Sequence, residues 1–365
     1  MIRLNKIIKN VLTKIETEGY EAYVVGGYVR DLLVGISSYD IDICTNATPK
    51  ELMMIFPNAS CKNLGGIEFK VKEYHIEITT YREEIKYKGR KPVEFNYINN
   101  LVLDLQRRDF TINAICMNSK GEIIDLVGGI DDLSNLKIKM IGEVETKIKE
   151  DPLRILRGIR IATILNFNLD PNFYKAIISH KNLIMTLSTT RIKEELDKIL
   201  LSNNVKKGFN LLNDLGILNL LGITSWEDLV PIKNLEGMYA QLKINMTLPF
   251  TKEEKSNITA IRRIINSNNI DKFTLYHYGL YLSLVAGEIL NIDKKEINKI
   301  NKELPIHDKK EINIKASDIT STLDIDYPQK IGIVLKEIET LILSGKIKNK
   351  KGDIIKYLKE HKSEW

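Results

Sequence analysis

The amino-acid sequence predicts an α+β protein in which a small sheet comes first and helices follow. Strand-forming runs fill the first third of the 365 residues: AYVVGG, YDIDICT, FKVKEYHIEITTYR and EIIDLV are rich in β-branched and aromatic residues. From about Glu150 the apolar residues recur at helical spacing, as in DPLRILRGIRIATIL and TRIKEELDKILLS. Four glycines cluster near this change, so we place the end of the sheet domain near residue 140.

The composition is that of an ordinary globular protein, with 43% hydrophobic and 28% charged residues. Its apolar runs, such as YLSLVAG from Tyr281, are far shorter than the ~20 residues that cross a bilayer. The stretch MIRLNKIIKN lacks the apolar region of a signal peptide, so we expect a cytoplasmic protein with no membrane partner. Cys44, Cys61 and Cys116 show no metal-ligand spacing, and we expect them to be reduced and structural.

A formal net charge of +6 is compatible with a polyanionic partner, but also with a merely soluble surface. Two basic clusters stand out, KYKGRK at 86–91 and KIKNKK at 346–351. Each fits either a nucleic-acid contact or a solvated loop. Charge alone therefore does not assign a function.

The stretch YDIDIC places two carboxylates one residue apart. On a strand Asp40 and Asp42 point to the same face, where they repel each other unless a cation neutralises them. Mg²⁺ suits such a pair, because it is commonly bound by a few carboxylates together with substrate phosphates. The alternative is a solvated pair at a strand end.

The residues that precede Asp40 and Asp42 favour a metal site over a solvated pair. Gly26 and Gly27 end an apolar strand and would let backbone amides approach a phosphate before a helix starts, and Arg30 follows one turn later. Strand, double glycine, arginine and D-x-D in this order predict a nucleoside triphosphate held against metal. Glu77, in YHIEITTYR, is a candidate for a third carboxylate on a neighbouring strand.

Two later segments supply further cations. In DLQRRDFTINAIC, Arg107 and Arg108 form either a surface patch or a donor fork for a triphosphate. In EDPLRILRGIRIA, Asp151 and Pro152 are helix-start signals. Arginines then recur every three residues on one helical flank, at positions 154, 157 and 160. We expect an anion opposite them, such as a phosphate chain or a nucleic-acid backbone.

Together these segments resemble the class II tRNA nucleotidyltransferases, the bacterial CCA-adding enzymes and poly(A) polymerases. The match covers GGYVRD with DID, RRDFTINA, DLVGGIDDL, EDPLRILR and RIKEELDKIL in family order. The C-terminal region from IKASDITSTL onward is similar to the CCA-adding branch. The resemblance implies a polymerase-β-like catalytic head at 1–140, a base-selecting neck at 141–205, a helical body at 206–290 and a tRNA-binding helical tail at 291–365.

The resemblance also assigns roles to residues. Asp40 and Asp42 would hold the catalytic Mg²⁺, and the strand pattern, not the resemblance, adds Glu77 as the candidate third catalytic carboxylate. Asp151 and Arg154 would act as a protein template for the incoming base, and Asp109 would lie near the ribose. The residues expected to bind the nucleotide are Gly26, Gly27, Arg30, Arg108, Asp109, Asn113, Asp151, Arg154, Arg157 and Arg160.

The template has a physical logic of its own. Cytosine and adenine both present an exocyclic amino donor beside a ring-nitrogen acceptor, so one carboxylate and one guanidinium can pair with either base. Uracil and guanine present the reverse pattern. A wrong base would leave both charged groups unpaired, which produces steep discrimination.

The predicted function is template-independent addition of CCA to the 3′ end of tRNA from CTP and ATP, with release of pyrophosphate and no obligate protein partner. The alternatives are CC-only or A-only addition, a poly(A) polymerase, and a non-enzymatic RNA-binding protein. CC-adding relatives lack part of a flexible loop, whereas YREEIKYKGRKPVEFNYINNLVLDL keeps its basic segment. A phosphohydrolase site at His307 and Asp308 is disfavoured, because it needs further histidines and aspartates at set positions and the chain has five histidines in all.

Overall fold

The computed structural model describes residues 4–62, 65–88, 91–325 and 327–364. The chain divides into two compact units, Met1–Thr224 with Ile244–Pro249 and Ser225–Lys243 with Phe250–Trp365. Within the described ranges, no helix has the length and apolar content needed to span a membrane. The cytoplasmic location stays a prediction. Gly89 and Arg90 of the first basic cluster lie outside the described residues.

Strands are concentrated in the first unit. They are β1 (Ala22–Val25), β2 (Asp40–Thr45), β3 (Ser60–Lys62), β4 (Gly66–Val71), β5 (Tyr74–Thr80), β6 (Arg82–Lys88), β7 (Lys91–Tyr97), β8 (Cys116–Met117), β9 (Ile123–Ile124), β10 (Lys137–Ile138) and β11 (Asn168–Leu169). Two further short strands are β12 (Ile223–Ser225) and β13 (Lys243–Ile244).

Helices occupy most of the rest of the described chain. In the first unit they are α1 (Lys6–Thr17), α2 (Gly27–Leu33), α3 (Pro49–Ile55), α4 (Leu101–Gln106), α5 (Gly129–Ser134), α6 (Val144–Glu150), α7 (Leu153–Leu165), α8 (Pro171–His180), α9 (Thr189–Leu200), α10 (Val205–Asp214) and α11 (Ile217–Leu220). In the second unit they are α12 (Leu235–Ala240), α13 (Lys252–Ser267), α14 (Lys272–Leu290), α15 (Lys294–Lys302), α16 (Ala316–Leu323), α17 (Pro328–Leu343) and α18 (Lys351–Glu360).

The main sheet has the strand order β3-β4-β5-β2-β1-β8-β9. Strand β2 pairs with β5 in parallel and with β1 antiparallel. Ile41 and Ile43 of β2 and Ile76 of β5 are fully buried on one face, where Phe56 at the end of α3 stacks on Phe69 of β4. Because side chains alternate along a strand, Asp40, Asp42 and their neighbours lie on the opposite face.

The α+β prediction is confirmed, with two differences in the elements. The run FKVKEYHIEITTYR forms two strands, β4 and β5, because the chain turns at Lys72, whose φ of 53° ends the first strand. The segment expected to be a flexible loop forms the antiparallel pair β6 and β7. Ile85, Val93 and Phe95 are residues that favour strands, which accounts for the pairing.

A close packing contact joins the RRDFT segment to α7. Phe110 is fully buried, and its ring centroid lies 5.5 Å from that of Phe173. A Cβ at position 158 of α7 would clash with both rings, so only glycine fits there. Gly158 thus lets α7 approach Phe110, and the preceding residue, Asp109, comes to lie beside the helix.

Candidate active site

One cleft collects most of the predicted nucleotide-binding residues. Its volume is about 380 Å³. The residues that line it are Gly26, Gly27, Asp42, Arg82, Glu84, Arg107, Arg108, Asp109, Asn113, Asp151, Arg154 and Arg157. The β1–α2 turn, strand β2, the RRDFT segment and the start of α7 therefore meet at one place.

The double glycine lies against strand β2. Gly26 has φ 84° and ψ −150°, a conformation that residues with a side chain rarely adopt. A Cβ at this position would lie 2.8 Å from Oδ2 of Asp42. Glycine is needed at 26 for both reasons, and the open backbone of the turn faces the Asp42 carboxylate.

The D-x-D pair has the predicted arrangement. Asp40 and Asp42 alternate with the buried Ile41, and the Asp40 side chain is 89% exposed. Burial raises the pKa of the Asp42 carboxyl, the Arg108 charge lowers it, and the nearby Glu77 and Asp40 carboxylates raise it again. The net shift of the Asp42 pKa is upward, so the site favours its protonated form relative to water.

Glu77 lies opposite Asp42 in the register of β5 and β2, so the two side chains share a face. Its Oε2 lies 2.5 Å from Nζ of Lys62, which is also 3.2 Å from Oε2 of Glu68. No sequence motif predicts the role of Lys62, because the ion pairs it forms depend on the pairing of β3, β4 and β5. A catalytic role for Glu77 stays a prediction.

Asp104, which the sequence analysis missed, holds two arginines that line the cleft, Arg107 and Arg108. It is fully buried, and its Oδ1 accepts hydrogen bonds from Arg107 Nε at 2.9 Å and from the Arg82 amide at 3.2 Å. Its Oδ2 accepts from Arg108 Nη2 at 3.0 Å. Burial opposes ionisation, yet the charges of Arg108 and Arg107 lower the pKa of Asp104. The spacing in DLQRR could have predicted this contact, because residues three and four apart are neighbours on a helix.

Arg108 is held in place but keeps one donor for a ligand. Its Nη2 is bound to Asp104, whereas its Nε is buried with no hydrogen-bond partner among the described residues. A buried unpaired donor is costly. Since Arg108 lines the cleft, an anion in the cleft would satisfy this donor.

Asp109 links the RRDFT segment to two other elements. Its Oδ2 accepts from Arg157 Nη2 at 2.5 Å and from Arg157 Nε at 2.9 Å. Its Oδ1 accepts from Asn113 Nδ2 at 3.0 Å, and Asn113 Oδ1 accepts from Arg30 Nη1 at 2.7 Å. Burial opposes the charge, but Arg157 and the hydrogen bonds hold the pKa of the Asp109 carboxyl well below its usual range.

Two arginines of α7 pair with carboxylates of the protein itself, and their expected contact with a phosphate or a nucleic-acid backbone stays a prediction. Arg157 pairs with Asp109, and Arg160 pairs with the buried Glu195 at 3.1 Å. Arg160 is absent from the described residues that line the cleft. Carboxylates already balance these two charges.

Arg154 and Asp151, the predicted template, both line the cleft. Arg154 donates to the carbonyls of Lys147 at 2.9 Å and Arg107 at 3.3 Å, and to Glu150 at 3.3 Å. Asp151 Oδ1 accepts from the Leu153 amide at 3.0 Å, so the predicted helix start is confirmed. The three bonds of the Arg154 guanidinium fix it at the first turn of α7.

Asp308 and the three cysteines, the other residues considered in the sequence, do not line the cleft in the part of the chain that the structure describes. Asp308 accepts from the Lys310 amide at 2.8 Å in a short 3₁₀ turn. Across the residues that the structure describes, no group of three or more His, Cys, Asp or Glu side chains is arranged to hold a metal. Cys44 and Cys116 are buried free thiols, while Cys61 is exposed, so a packing role does not extend to Cys61.

Comparisons with known proteins find nucleotidyltransferase relatives along most of the chain. Residues 22–139 match the family described as "Poly A polymerase head domain", residues 166–222 match the "Probable RNA and SrmB- binding site of polymerase A", and residues 233–358 match a tRNA nucleotidyltransferase domain 2. A CCA-adding enzyme of Lactococcus lactis subsp. cremoris (strain SK11) is 33% identical and covers 96% of this chain and 95% of its own. One from Streptococcus agalactiae serotype V is 32% identical, covering 96% of each.

Solved structures agree with these sequence matches. The Bacillus stearothermophilus CCA-adding enzyme in complex with CTP has a TM-score of 0.82 and 25% identity, covering 98% of this chain and 97% of that chain. The Thermotoga maritima CCA-adding enzyme complexed with tRNA shares the fold, with a TM-score of 0.65 and 19% identity, covering 98% and 96%. The chain belongs to the CCA-adding enzymes, a family of tRNA nucleotidyltransferases.

Proposed function

We propose that this chain adds CCA to the 3′ end of tRNA, using CTP and ATP and releasing pyrophosphate. The observation that carries the proposal is the single cleft in which the glycine turn, Asp42, Arg108 and the Asp151–Arg154 pair meet. The names of relatives that are 32% and 33% identical over nearly the full length support it.

The reaction needs a nucleophile, a fixed triphosphate and a leaving group. The 3′-hydroxyl of the acceptor attacks the α-phosphorus in line, its oxygen forms the new P–O bond, and the bond to the β-phosphate oxygen breaks. In this proposal the Gly26–Gly27 backbone and the unpaired Nε of Arg108 bind the triphosphate. Arg30, fixed by Asn113, lies beside them as a further cation.

Membership of this family implies a divalent metal ion, and the donor set fits one. Asp40 and Asp42 supply hard oxygen donors on one face, and the pKa of Asp42 is raised first by loss of hydration and then by the Glu77 and Asp40 charges, which a cation would compensate. We propose Mg²⁺, which two carboxylates and substrate phosphates can hold without a closed protein cage. When bound, the metal would stabilise charge on the attacking and leaving oxygens.

Base choice is assigned to Asp151 and Arg154. The carboxylate would accept from the exocyclic amine of cytosine or adenine, and the guanidinium would donate to the ring nitrogen. The bonds from Arg154 to two backbone carbonyls support the assignment, because they restrict its orientation. The roles of Asp109 at the ribose, and of the neck, body and tail, are part of the same proposal.

Full CCA addition is favoured over a CC-only or A-only activity by the β6–β7 pair. Arg82 and Glu84 of β6 line the cleft, and the Arg82 amide donates to Asp104. The start of β6, the strand that leads into the basic segment, thus lies at the nucleotide site. A poly(A) polymerase remains the alternative with the same catalytic motifs.

The experiment is incubation of the protein with a tRNA that lacks its 3′ CCA, with CTP alone, ATP alone, or both. We expect addition of two nucleotides with CTP and of three with the mixture, ending in A. A product that stops at CC with both nucleotides would identify a CC-only enzyme. A long adenosine tail from ATP alone would identify a poly(A) polymerase.

A further inference from the structure

Lys62 of β3 lies on the face of the sheet that carries the D-x-D pair. The strand register places Lys62 opposite Gly66 of β4, and Glu68, two residues further along β4, lies opposite Glu77 of β5. Glu77 in turn lies opposite Asp42. Because opposed residues and residues two apart in a strand point to the same face, these side chains share one surface.

The Lys62 side chain reaches across β4 to two carboxylates. Gly66, opposite Lys62, has no side chain to block this path. Nζ of Lys62 lies 2.5 Å from Oε2 of Glu77 and 3.2 Å from Oε2 of Glu68. Loss of hydration lowers the pKa of the Lys62 ammonium, but the bonds and charges of Glu77 and Glu68 raise it above its usual value. Lys62 is therefore a cation that the fold holds beside Glu77.

The Lys62 charge also reaches Asp42. Burial is the largest cause of the raised Asp42 pKa, while Arg108 and Lys62 are the cations that lower it. Strand β5 lies between β2 and β4, so Lys62 approaches Glu77 from the side opposite to Asp42. A carboxylate held from that side is drawn away from the D-x-D pair, and its charge is already balanced.

We propose that Lys62 is a positioning residue that keeps Glu77 out of the metal's ligand set. Asp40 and Asp42 are then left to hold the ion together with substrate phosphates. Affinity for a divalent cation depends on the number of charged ligands, so a site with two carboxylates fills mainly when a triphosphate completes it. Glu77 becomes a third ligand only where Lys62 releases it. The inference rests on the metal site of the proposed function and adds the residue that sets its affinity.

Metal binding in the absence of nucleotide and tRNA tests the proposal. Free Mn²⁺ is measured by electron paramagnetic resonance, and the site in question is the one that Asp42→Asn removes. Lys62→Met should bind Mn²⁺ about fivefold or more tightly than the wild type, because the released Glu77 joins the ligands. Lys62→Arg keeps the ion pair and should bind Mn²⁺ as the wild type does.

Two controls separate this effect from a general loss of positive charge. Lys70 is exposed on the same face, opposite His75. Lys70→Met should leave Mn²⁺ affinity within about twofold of the wild type, because solvent and salt screen an exposed charge. In a Glu77→Gln background, Lys62→Met should no longer tighten binding, since the carboxylate through which Lys62 acts is absent.

Unchanged or weaker Mn²⁺ binding by Lys62→Met would overturn the proposal. An equal gain in the Glu77→Gln background, or in Lys70→Met, would also overturn it. If Asp42→Asn removes no Mn²⁺ site, both the proposed metal site and this inference are rejected. The expected pattern in a protein that adds no CCA would uphold the role of Lys62 and reject the proposed function.

Discussion

At the scale of single residues, the most informative charge is Asp42. Its carboxylate lies close to those of Asp40 and Glu77, and a group whose pKa is raised in the folded state destabilises that state at neutral pH. Asp42→Asn keeps the shape of the side chain and removes this charge. The substitution therefore separates stability from catalysis.

We expect Asp42→Asn to lower nucleotide addition by about a hundredfold or more, because even partners outside a metal's ligand set contribute up to about that factor. Its melting temperature without metal should equal or exceed that of the wild type. Thermal unfolding with and without Mg²⁺ checks this, since only the wild type should gain appreciably from the metal. Wild-type turnover in the variant would reject the assignment of Asp42.

Asp104 gives a second prediction at this scale. Asp104→Asn removes the charge that holds Arg107 and Arg108, and breaking a buried ion pair costs about 3 to 5 kcal/mol of stability. We expect KM for CTP and ATP to rise together by about tenfold, while the preference for C and A over U and G is kept. Steady-state kinetics with all four nucleotides measure both quantities.

The control for Asp104 is Asp132→Asn. Asp132 is also buried, but the donor to its carboxylate is the Thr111 hydroxyl, at 2.8 Å, and not an arginine that lines the cleft. Its loss should lower stability with little effect on nucleotide KM. If both variants raise KM equally, Asp104 has only a structural role.

Gly26, Asp42 and Arg108 were predicted as site residues from the sequence, because packing alone does not require a glycine, an aspartate and an arginine at these positions. Binding a triphosphate and a metal does. Lys62 was not predictable, since its partners Glu68 and Glu77 meet it only through the strand register. Asp104 was overlooked because DLQRR reads equally well as the end of an amphipathic helix. Residues that act through contacts distant in sequence are the ones that pattern analysis misses.

At the scale of secondary-structure elements, the Asp109–Arg157 pair joins the RRDFT segment to α7. Asp109 is buried, and its pKa is depressed by Arg157 and by hydrogen bonds. A depressed pKa contributes stability that is fully present above the unfolded value of about 3.9 and is lost as pH falls toward the folded value. The connection between these elements should therefore weaken in acid.

We expect Asp109→Asn to reduce the free energy of unfolding by about 2 kcal/mol at pH 7, because Arg157 is 38% exposed and can be rehydrated. The difference from the wild type should shrink below about pH 4. Urea unfolding of both proteins from pH 7 to pH 3 measures it. A difference that stays constant over this range would show that the carboxylate charge is not responsible.

The elements themselves were predicted with unequal success. Strands β1 and β2 and helix α7 begin and end near their sequence signals, because glycines and the Asp151–Pro152 pair mark them. The pairing of β6 with β7 was missed, since a charged segment with few apolar residues resembles a loop. The ion pairs of Arg157 and Arg160 were also missed, because their partners come from other elements.

At the scale of the whole molecule, the ordered motifs predicted the family better than any single site did. The matched regions at 22–139, 166–222 and 233–358 extend along nearly the whole chain. The α+β class followed from the change in periodicity near residue 150. The boundaries between head, neck, body and tail stay predictions, since the structure divides the chain into two compact units and not four.

The central claim is that Asp151 and Arg154 select the base while other residues hold the triphosphate. The most direct measurement is incorporation of each of the four nucleotides by the wild type and by Arg154→Ala. Arg262→Ala serves as the control, because Arg262 also donates to backbone carbonyls but belongs to the second unit.

The wild type and Arg262→Ala should use CTP and ATP and exclude UTP and GTP. Loss of a charge-assisted hydrogen bond, worth about 1.5 to 3 kcal/mol, should make Arg154→Ala tenfold or more less selective. If Arg154→Ala is slower with CTP and ATP yet excludes UTP and GTP as well as the wild type does, the protein-template account is contradicted.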